Sequence, residues 1–328
     1  MLFPFADYWW FYAGFTIFVL IMLAIDLGVF HRKEHVVSMR EAARWSVVWI
    51  ALSLLFNFGL YQYAASKFSP EVANQVALEF LAGYVVEYTL SVDNMFVFVV
   101  IFSFFSVPSV LQHRVLFYGI LGALVFRAIF IALGSVLLSY HAVVILFGAV
   151  LILTGVRLLF HDSADANPER NPLVRLTRRL MPVTPGFHGK HFFVTLDGRR
   201  HATPLLLALM AIEMSDIVFA IDSVPAIFAL TKEPLIVFTS NIFAILGLRS
   251  LYFVLAAAVA RFSLLRFGLA GVLIFIGLKM SWLNPFPITW SLAIIAGLVG
   301  SSIVASLIVD RRRPERDETA APPRRVEG

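Results

Sequence analysis

The sequence predicts an all-α polytopic membrane protein with about nine transmembrane helices, and three observations support this class. Of its 328 residues, 60% are hydrophobic and 14% are charged, whereas soluble domains are typically about 45–50% apolar and about 25% charged. The mean hydropathy is +0.85. The apolar residues also come in stretches of about 20, the length that an α-helix needs to cross a hydrocarbon core of about 30 Å.

Nine stretches of the chain are long and apolar enough to form spans. They lie at approximately 11–30, 45–64, 77–103, 115–138, 142–160, 203–229, 235–258, 264–281 and 288–308. Tryptophans lie near several of their ends, as in the aromatic belts of membrane proteins: Trp9, Trp10, Trp45, Trp282 and Trp290. The third and sixth stretches differ from the others because both are long and both contain acidic residues.

The spans divide the chain into successive parts. Residues 1–76 hold two N-terminal helices, 77–160 a first three-helix repeat, 161–202 a cytoplasmic loop, 203–281 a second three-helix repeat, 282–309 a C-terminal helix, and 310–328 a charged, proline-rich cytoplasmic tail. We expect the tail to be disordered, because it lacks apolar residues to pack. Within the loop, HFFVTLDGRRHATP alternates around Asp197-Gly198, which predicts a β-hairpin with a two-residue turn.

Lysine and arginine residues predict the orientation of the helices. With the N-terminus outside, 20 of the 26 basic residues fall in cytoplasmic segments, three fall on the opposite side, and Arg127, Arg157 and Arg249 fall within spans. Because basic residues accumulate on the cytoplasmic side, we expect an N-out, C-in protein of a bacterial inner membrane. No basic residue precedes the first apolar stretch and no small-residue cleavage site is present, so we expect a retained helix rather than a signal peptide.

Two acid-bearing stretches have the same pattern. EYTLSVDN at 87–94 and DIVFAIDS at 216–223 each contain an acid, five other residues, a second acid and a small polar residue. The span that follows each of them carries one central arginine, Arg127 or Arg249. Since two spans lie between them, the two halves would enter the membrane from opposite sides. This predicts a 3+3 inverted-repeat core, in which secondary transporters place their substrate site near the midplane; chance similarity of two apolar helices is the alternative.

Acidic residues outnumber basic ones deep in the spans. We count six acids against Arg127 and Arg249: Asp26, Glu87, Asp93, Glu213, Asp216 and Asp222. A central charge costs about 2.5–3.5 kcal/mol even on a lenient insertion scale, so this excess needs protons, metal cations or both. Hydroxyl and amide oxygens accompany the acids: Ser91, Asn94, Ser215, Ser223 and Asn241. Such oxygen ligands suit Mn²⁺, Mg²⁺ or Ca²⁺ rather than copper or zinc; simple pairing of the acids with the arginines is the structural alternative.

Helical geometry groups some of these side chains. Residues seven apart share a helix face, so Glu87 lies on the same side as Asn94 and also as Ser91, while Asp216 lies on the same side as Ser223. This spacing predicts that the two faces contribute to one site.

The remaining acids are placed less directly. Asp93 and Asp222 point about 100° away from those faces, so either they face different neighbours or their helices unwind, and Pro225 favours a local break. Glu213 is close enough along its helix to share the site. Asp26 lies near the inner end of the first span and is either an interfacial acid or part of an access route.

Other kinds of chemistry are poorly represented. The chain has no cysteine, which excludes disulfides, thiolate metal sites and thiol redox chemistry by the protein itself. It contains no HExxH, GxSxG, phosphate-loop or ATP-binding motif, so we expect neither an enzyme nor an ATP-driven pump. Its basic residues are concentrated in loops and the tail, which indicates membrane topology rather than nucleic-acid binding.

Three segments resemble the TerC family of bacterial integral membrane proteins, particularly its Alx-like branch: EYTLSVDNMFVF, EMSDIVFAIDSVPAIFALT and FTSNIFAILGLRSLYF. The resemblance extends from about MLAIDLGVF to GLKM, which is most of the chain. Members of that family are associated with manganese homeostasis, chiefly Mn²⁺ export, and the family name comes from tellurite resistance. The resemblance implies an ion site made of Glu87, Asp93, Asn94, Glu213, Asp216 and Asp222.

We therefore expect a secondary transporter that exports Mn²⁺ by proton antiport, with Ca²⁺ and Mg²⁺ as alternative substrates. Ser91, Ser223, Asn241 and Asp26 would be secondary members of its site, and Arg127 and Arg249 would balance charge. We expect no organic cofactor, and membrane lipid as the other partner. The competing hypothesis is an accessory protein that helps to metalate exported enzymes, or supports tellurite or redox stress resistance, without transport of its own.

Overall fold

A computed structural model describes residues 2–25, 38–160, 171–256, 264–282 and 286–312. Apart from one two-stranded hairpin, the elements formed there are helices. They are α1 (Phe5–Ile25), α2 (Met39–Lys67), α3 (Pro70–Phe104), α4 (Ser109–Leu137), α5 (His141–Phe160), α6 (Pro172–Leu180), α7 (Pro204–Phe228), α8 (Pro234–Leu246), α9 (Leu248–Ala256), α10 (Leu265–Ser281) and α11 (Ile288–Arg312). The predicted all-α, polytopic membrane class is confirmed.

The number of membrane spans is close to the predicted nine. Within the described ranges, seven helices are long and apolar enough to cross a membrane, and α8 with α9 would make an eighth if the pair forms one span. The remaining predicted stretch coincides with α10, whose 17 residues are fewer than the roughly 20 that a span needs. The count therefore depends on how the bent pair and α10 lie in the bilayer.

Local sequence explains where several helices begin. The Ser69 hydroxyl caps α3 by accepting a hydrogen bond from the Val72 backbone N–H at 3.4 Å. Pro70, Pro204 and Pro234 occupy the first turns of α3, α7 and α8. Proline is favoured there because its missing N–H has no partner within the helix and its φ angle is already helical.

Of the two alternatives for Asp222, the helix break that Pro225 favours is not found. Helix α7 runs continuously to Phe228 with Pro225 inside its last turn, although a proline removes the hydrogen bond to the carbonyl four residues before it. The bend lies instead between α8 and α9, which meet at Gly247 with an angle of 43°. Glycine has a low helix propensity, and this one lies two residues before Arg249.

The centre of the molecule consists of α3, α4, α7 and α8, which contact one another. Buried residues make up 61% and 56% of the most apolar windows of α3 and α7, against 17–28% in α1, α2, α4, α5 and α11. Helices α3 and α7 are therefore interior, whereas α1, α2, α4, α5 and α11 expose most of their apolar surface. Helix α2 packs on α3 and α9, α1 packs on α8, and α10 packs against both α5 and α11.

Glycines bring α5 and α10 close together. A Cβ atom added to Gly277 of α10 would lie 2.6 Å from the carbonyl oxygen of Gly148 of α5, and one added to Gly155 would lie 2.9 Å from the carbonyl oxygen of Ala270. Small residues at a membrane helix interface let the backbones approach in this way. These glycines therefore fix the spacing of the two helices.

The loop between α5 and α7 contains the predicted hairpin. Strands β1 (Phe193–Leu196) and β2 (Arg199–Ala202) pair antiparallel, with Leu196 opposite Arg199. Asp197 and Gly198 both have positive φ angles, 50° and 72°, as a type I′ turn requires. The short helix α6 precedes the hairpin and was not predicted.

Candidate functional site

The candidate site is centred on Arg127, which is buried in α4 with no exposed surface. Its guanidinium donates hydrogen bonds to Glu87 of α3 through Nη1, and to Asp216 Oδ1 of α7 through Nη2 at 3.2 Å. Glu87 and Asp216 are the first acids of the two similar sequence segments. One arginine therefore bridges the two helices that carry these segments.

Neutral oxygens complete the surroundings of this guanidinium. Ser223 Oγ and Asn241 Oδ1 accept hydrogen bonds from Arg127 Nη1 at 3.1 and 3.3 Å. Asn241 Nδ2 in turn donates to Glu87 Oε2 at 3.1 Å, and the Ser91 hydroxyl donates to Glu87 Oε1 at 3.4 Å. Four helices, α3, α4, α7 and α8, thus supply side chains to one cluster. Of the two predicted seven-residue pairs, Asp216 and Ser223 lie together in it, whereas Glu87 is joined by Ser91 and not by Asn94.

The cluster contains more acid than base. Glu87 and Asp216 face a single guanidinium, and Asp216 Oδ2 and Arg127 Nε are buried without a hydrogen-bond partner among the described residues. If both acids are ionised, one negative charge is uncompensated. Such a charge is expensive to keep away from water, so the site favours a further proton or cation.

Glu213 lies one turn before Asp216 on α7 but does not share the hydrogen bonds of Arg127. It is 8% exposed, and its Oε2 atom has no hydrogen-bond partner within the described part of the chain. The carboxylate packs directly over Gly122 of α4, where an added Cβ atom would lie 2.1 Å from each of its oxygens. Gly122 therefore makes the space that this carboxylate occupies.

The second acid of each segment, Asp222 or Asp93, lies on an unbroken helix. Asp222 accepts a hydrogen bond from Thr154 Oγ1 of α5 at 3.2 Å, so of the two alternatives it faces a different neighbour on an intact helix. Asp93 is half-buried on α3 and Asn94 is buried beside it. None of these residues takes part in the Arg127 hydrogen bonds. The predicted ligands thus fall into separate groups rather than one shell.

A small cavity adjoins Asp216 on the side of Arg249. Its volume is about 20 Å³, which is room for roughly one water molecule. Asp216 and Arg249 provide its charged side chains, and the other lining residues are apolar or glycine and come from α3, α4, α7 and α9. Arg249 therefore shares a cavity with an acid of the cluster while lying beyond the bend at Gly247.

The acids do not form a closed metal cage in this conformation. Among residues 2–25, 38–160, 171–256, 264–282 and 286–312, no three acidic or histidine side chains are close enough to hold one metal ion. The Arg127 guanidinium occupies the space between Glu87 and Asp216. Asp26 lies outside the described residues. The metal-ligand set therefore stays a prediction.

A second polar cluster was missed because sequence reasoning did not count Glu79 among the acids of its span. Glu79 accepts hydrogen bonds from Gln75 Nε2 at 2.8 Å and from the Thr231 hydroxyl. Nearby, the Glu233 carboxylate accepts from the backbone N–H groups of Leu2 and Phe3 at 2.7 and 3.1 Å. The signal was available, since Glu79 lies within the predicted span 77–103. These contacts fix the start of the chain against the connection between α7 and α8.

A family profile and individual relatives both match most of this chain. The profile of the integral membrane protein TerC family matches residues 72–314. An uncharacterized membrane protein of Myxococcus xanthus, STKORF319, is 53% identical over 312 residues, covering 94% of this chain and 95% of that protein. The Escherichia coli K12 protein Alx, named as a candidate membrane-bound redox modulator, is 45% identical over 309 residues, covering 93% and 96%. No solved structure matches the chain.

Proposed function

The chain belongs to the TerC family of integral membrane proteins, and on that premise we propose that it is a secondary transporter that exports divalent metal cations, with Mn²⁺ as the substrate. The observation that carries this proposal is the buried cluster of Glu87, Asp216, Ser223 and Asn241 around Arg127. Carboxylate, hydroxyl and amide oxygens are the ligands that hard cations prefer. The choice of manganese among these cations rests on the family resemblance.

In the proposed mechanism Arg127 takes the place of the transported ion. An empty pair of carboxylates at this depth would be unstable, and the guanidinium compensates them while no metal is bound. An incoming divalent cation would neutralise the two carboxylates in place of the guanidinium, which frees Arg127 from them. Protons that neutralise the carboxylates from the other side would then expel the metal, which gives antiport without any ATP-binding motif.

The orientation of the transporter is part of the proposal. The excess of lysine and arginine in one set of connections supports an N-out, C-in protein of a bacterial inner membrane. The matched acid segments support an inverted repeat, whose halves would alternate in opening the site to either side. Export then means that metal binds from the face with the basic loops.

Transport by the purified protein tests the proposal. The full chain is reconstituted in liposomes, and uptake of Mn²⁺, Ca²⁺, Mg²⁺ and Zn²⁺ is measured with and without a pH gradient. We expect Mn²⁺ transport that the gradient drives, and its loss in Glu87→Gln. Glu71→Gln is a matched control, because Glu71 lies exposed in the first turn of the same helix. Absence of transport of all four ions would reject the proposal.

A strain that lacks the protein provides an independent test. If the protein exports Mn²⁺, its deletion should raise the cellular manganese content and make growth sensitive to added manganese. Complementation with the wild-type chain, but not with Glu87→Gln, should reverse both effects. Unchanged manganese content in a strain without another exporter would contradict the proposed direction of transport.

The name of the Alx relatives, membrane-bound redox modulator, favours a second candidate, an accessory role in redox stress. With no cysteine, the chain cannot carry out thiol exchange itself, so this role would act through a partner or through metal supply. A protein of this kind would rescue the deletion strain and yet transport nothing when purified.

A further inference from the structure

We propose that α6 is a membrane-surface helix that binds the anionic phospholipid headgroups of the bilayer that the chain spans. This inference concerns the connection between α5 and α7 and does not depend on the identity of the transported ion. It rests on the faces of α6, on the place where α6 is attached, and on the charge of the residues that follow it.

Helix α6 has separate basic and apolar faces. Its sequence is PLVRLTRRL, so Arg175 and Arg179 are one turn apart, as are Leu176 and Leu180. Leu176 is 49% exposed and Leu180 is 72% exposed, and both arginines are exposed. Two exposed leucines beside exposed arginines suit an interfacial helix, which places its leucines among acyl chains and its arginines at phosphates.

The attachment of α6 places it beside the spans rather than beyond them. Val174 is buried, and the Asn171 side chain caps α6 by accepting from the backbone N–H of Leu173 at 2.9 Å. The Asn171 Nδ2 atom donates to the Ala211 carbonyl oxygen of α7 at 3.4 Å. Ala211 lies about 10 Å along α7 from its first residue. Helix α6 therefore starts alongside the first turns of α7 rather than beyond its end.

The charge of the whole connection is complementary to an anionic surface. Between 171 and 202 there are six basic residues and one acid, Asp197. The hairpin contributes two of the basic residues, Arg199 and Arg200, together with Phe193, which is 40% exposed. Near an anionic membrane each such cation strengthens binding about fivefold. Because β2 leads directly into α7, bound lipid would also hold the helix that carries Asp216.

Lipid fits these observations better than other occupants. A soluble anion would use the arginines but leave the leucines exposed to water. A protein partner could cover both, but the bilayer that surrounds the neighbouring spans needs no further binding component. The lipid proposal therefore explains both faces of α6 with the surroundings that the spans impose.

The test uses the purified full chain in a non-ionic detergent at low salt. Phosphatidylglycerol or phosphatidylcholine is titrated in, and the thermal unfolding midpoint gives the apparent affinity. We expect phosphatidylglycerol to stabilise the protein more than phosphatidylcholine does. The double variant Arg175→Gln/Arg179→Gln should need roughly 25-fold more phosphatidylglycerol for the same stabilisation. Arg175→Lys/Arg179→Lys should keep most of the affinity, because the charge remains.

Two further variants separate the possible explanations. Lys67→Gln/Lys232→Gln removes the same charge from exposed positions elsewhere and should bind phosphatidylglycerol like the wild type. Leu176→Ser/Leu180→Ser should weaken binding while leaving the arginines in place. Equal losses in the lysine variant, no loss in the arginine or leucine variant, or equal stabilisation by phosphatidylcholine would each overturn the proposal. Equal stabilisation by inorganic phosphate would overturn it as well, because it would indicate a site for a soluble anion.

Discussion

Replacement of Arg127 by alanine gives the most direct test of the central cluster. The change removes a fully buried guanidinium and leaves the Glu87 and Asp216 carboxylates without their cation. Loss of one partner from a buried ion pair destabilises a protein by about 3–5 kcal/mol, because the remaining charge is left without compensation. Natural proteins are stable by only about 5–15 kcal/mol. We therefore expect a marked fall in the amount of folded protein in membranes.

Rescue distinguishes loss of charge balance from loss of packing. In the triple variant Arg127→Met/Glu87→Gln/Asp216→Asn no charge remains, and a similar side-chain volume is kept, so folded protein should recover towards the wild-type level. Arg157→Ala is the matched control, because Arg157 is exposed near the end of α5 and can reach the headgroup region.

The measurement is the amount of monodisperse protein extracted from membranes, together with its thermal unfolding midpoint. Wild-type levels and an unchanged midpoint in Arg127→Ala would refute a structural role for this arginine. If transport were lost in that case, Arg127 would act as a gate and not as a counter-ion. Failure of the triple variant to recover would show that the shape of the guanidinium matters more than its charge.

Three other substitutions have outcomes that the structure specifies. Gly122→Ala should leave the protein level unchanged but slow metal uptake by liposomes, because the new methyl group displaces the flexible Glu213 carboxylate. Normal uptake would show that transport does not require Glu213 to lie over Gly122. Asp222→Asn should insert normally and lose transport, since it removes one charge without changing side-chain size; full transport would exclude Asp222 from the ion route. Gly277→Val should destabilise the protein by about 1–3 kcal/mol, because the new side chain overpacks against a backbone oxygen. Gly297→Val is the control, since a Cβ atom at Gly297 has no described neighbour within 4 Å. Equal thermal unfolding midpoints for the two variants would contradict this.

The positions of the helices could be predicted from sequence because lipid imposes a simple rule. A backbone in hydrocarbon must satisfy its own hydrogen bonds, so each long apolar stretch becomes a helix. Predicted 142–160 and 203–229 became His141–Phe160 and Pro204–Phe228. The hairpin at Asp197-Gly198 could also be predicted. Its turn requires two successive positive φ angles, and the Asp-Gly pair is one of the few that favour them.

The contents of the site were only partly predictable. Helical spacing placed Asp216 and Ser223 on one face, and both contact Arg127. It could not show that Glu213 would lie over Gly122, or that Asp222 would meet Thr154, because these contacts depend on how α4 and α5 pack against α7. Pro225 favoured a helix break on propensity alone, but α7 continues through Pro225 to Phe228, and the chain bends at Gly247.

If metal binds at the proposed site, the arrangement around Arg127 would link the stability of the metal-free protein to its affinity for metal. The guanidinium donates to two acids, a hydroxyl and an amide oxygen, and all of these oxygens are also the proposed ligands of the metal. A cation can bind them only if those hydrogen bonds are given up, so each contact that stabilises the resting cluster weakens metal binding by a similar amount. Asp216 Oδ2, which has no hydrogen-bond partner in the described part of the chain, would offer the metal a first contact before the guanidinium is displaced. Replacement of the Arg127 guanidinium by a metal ion would therefore begin at Asp216, beside the cavity, and end at Glu87.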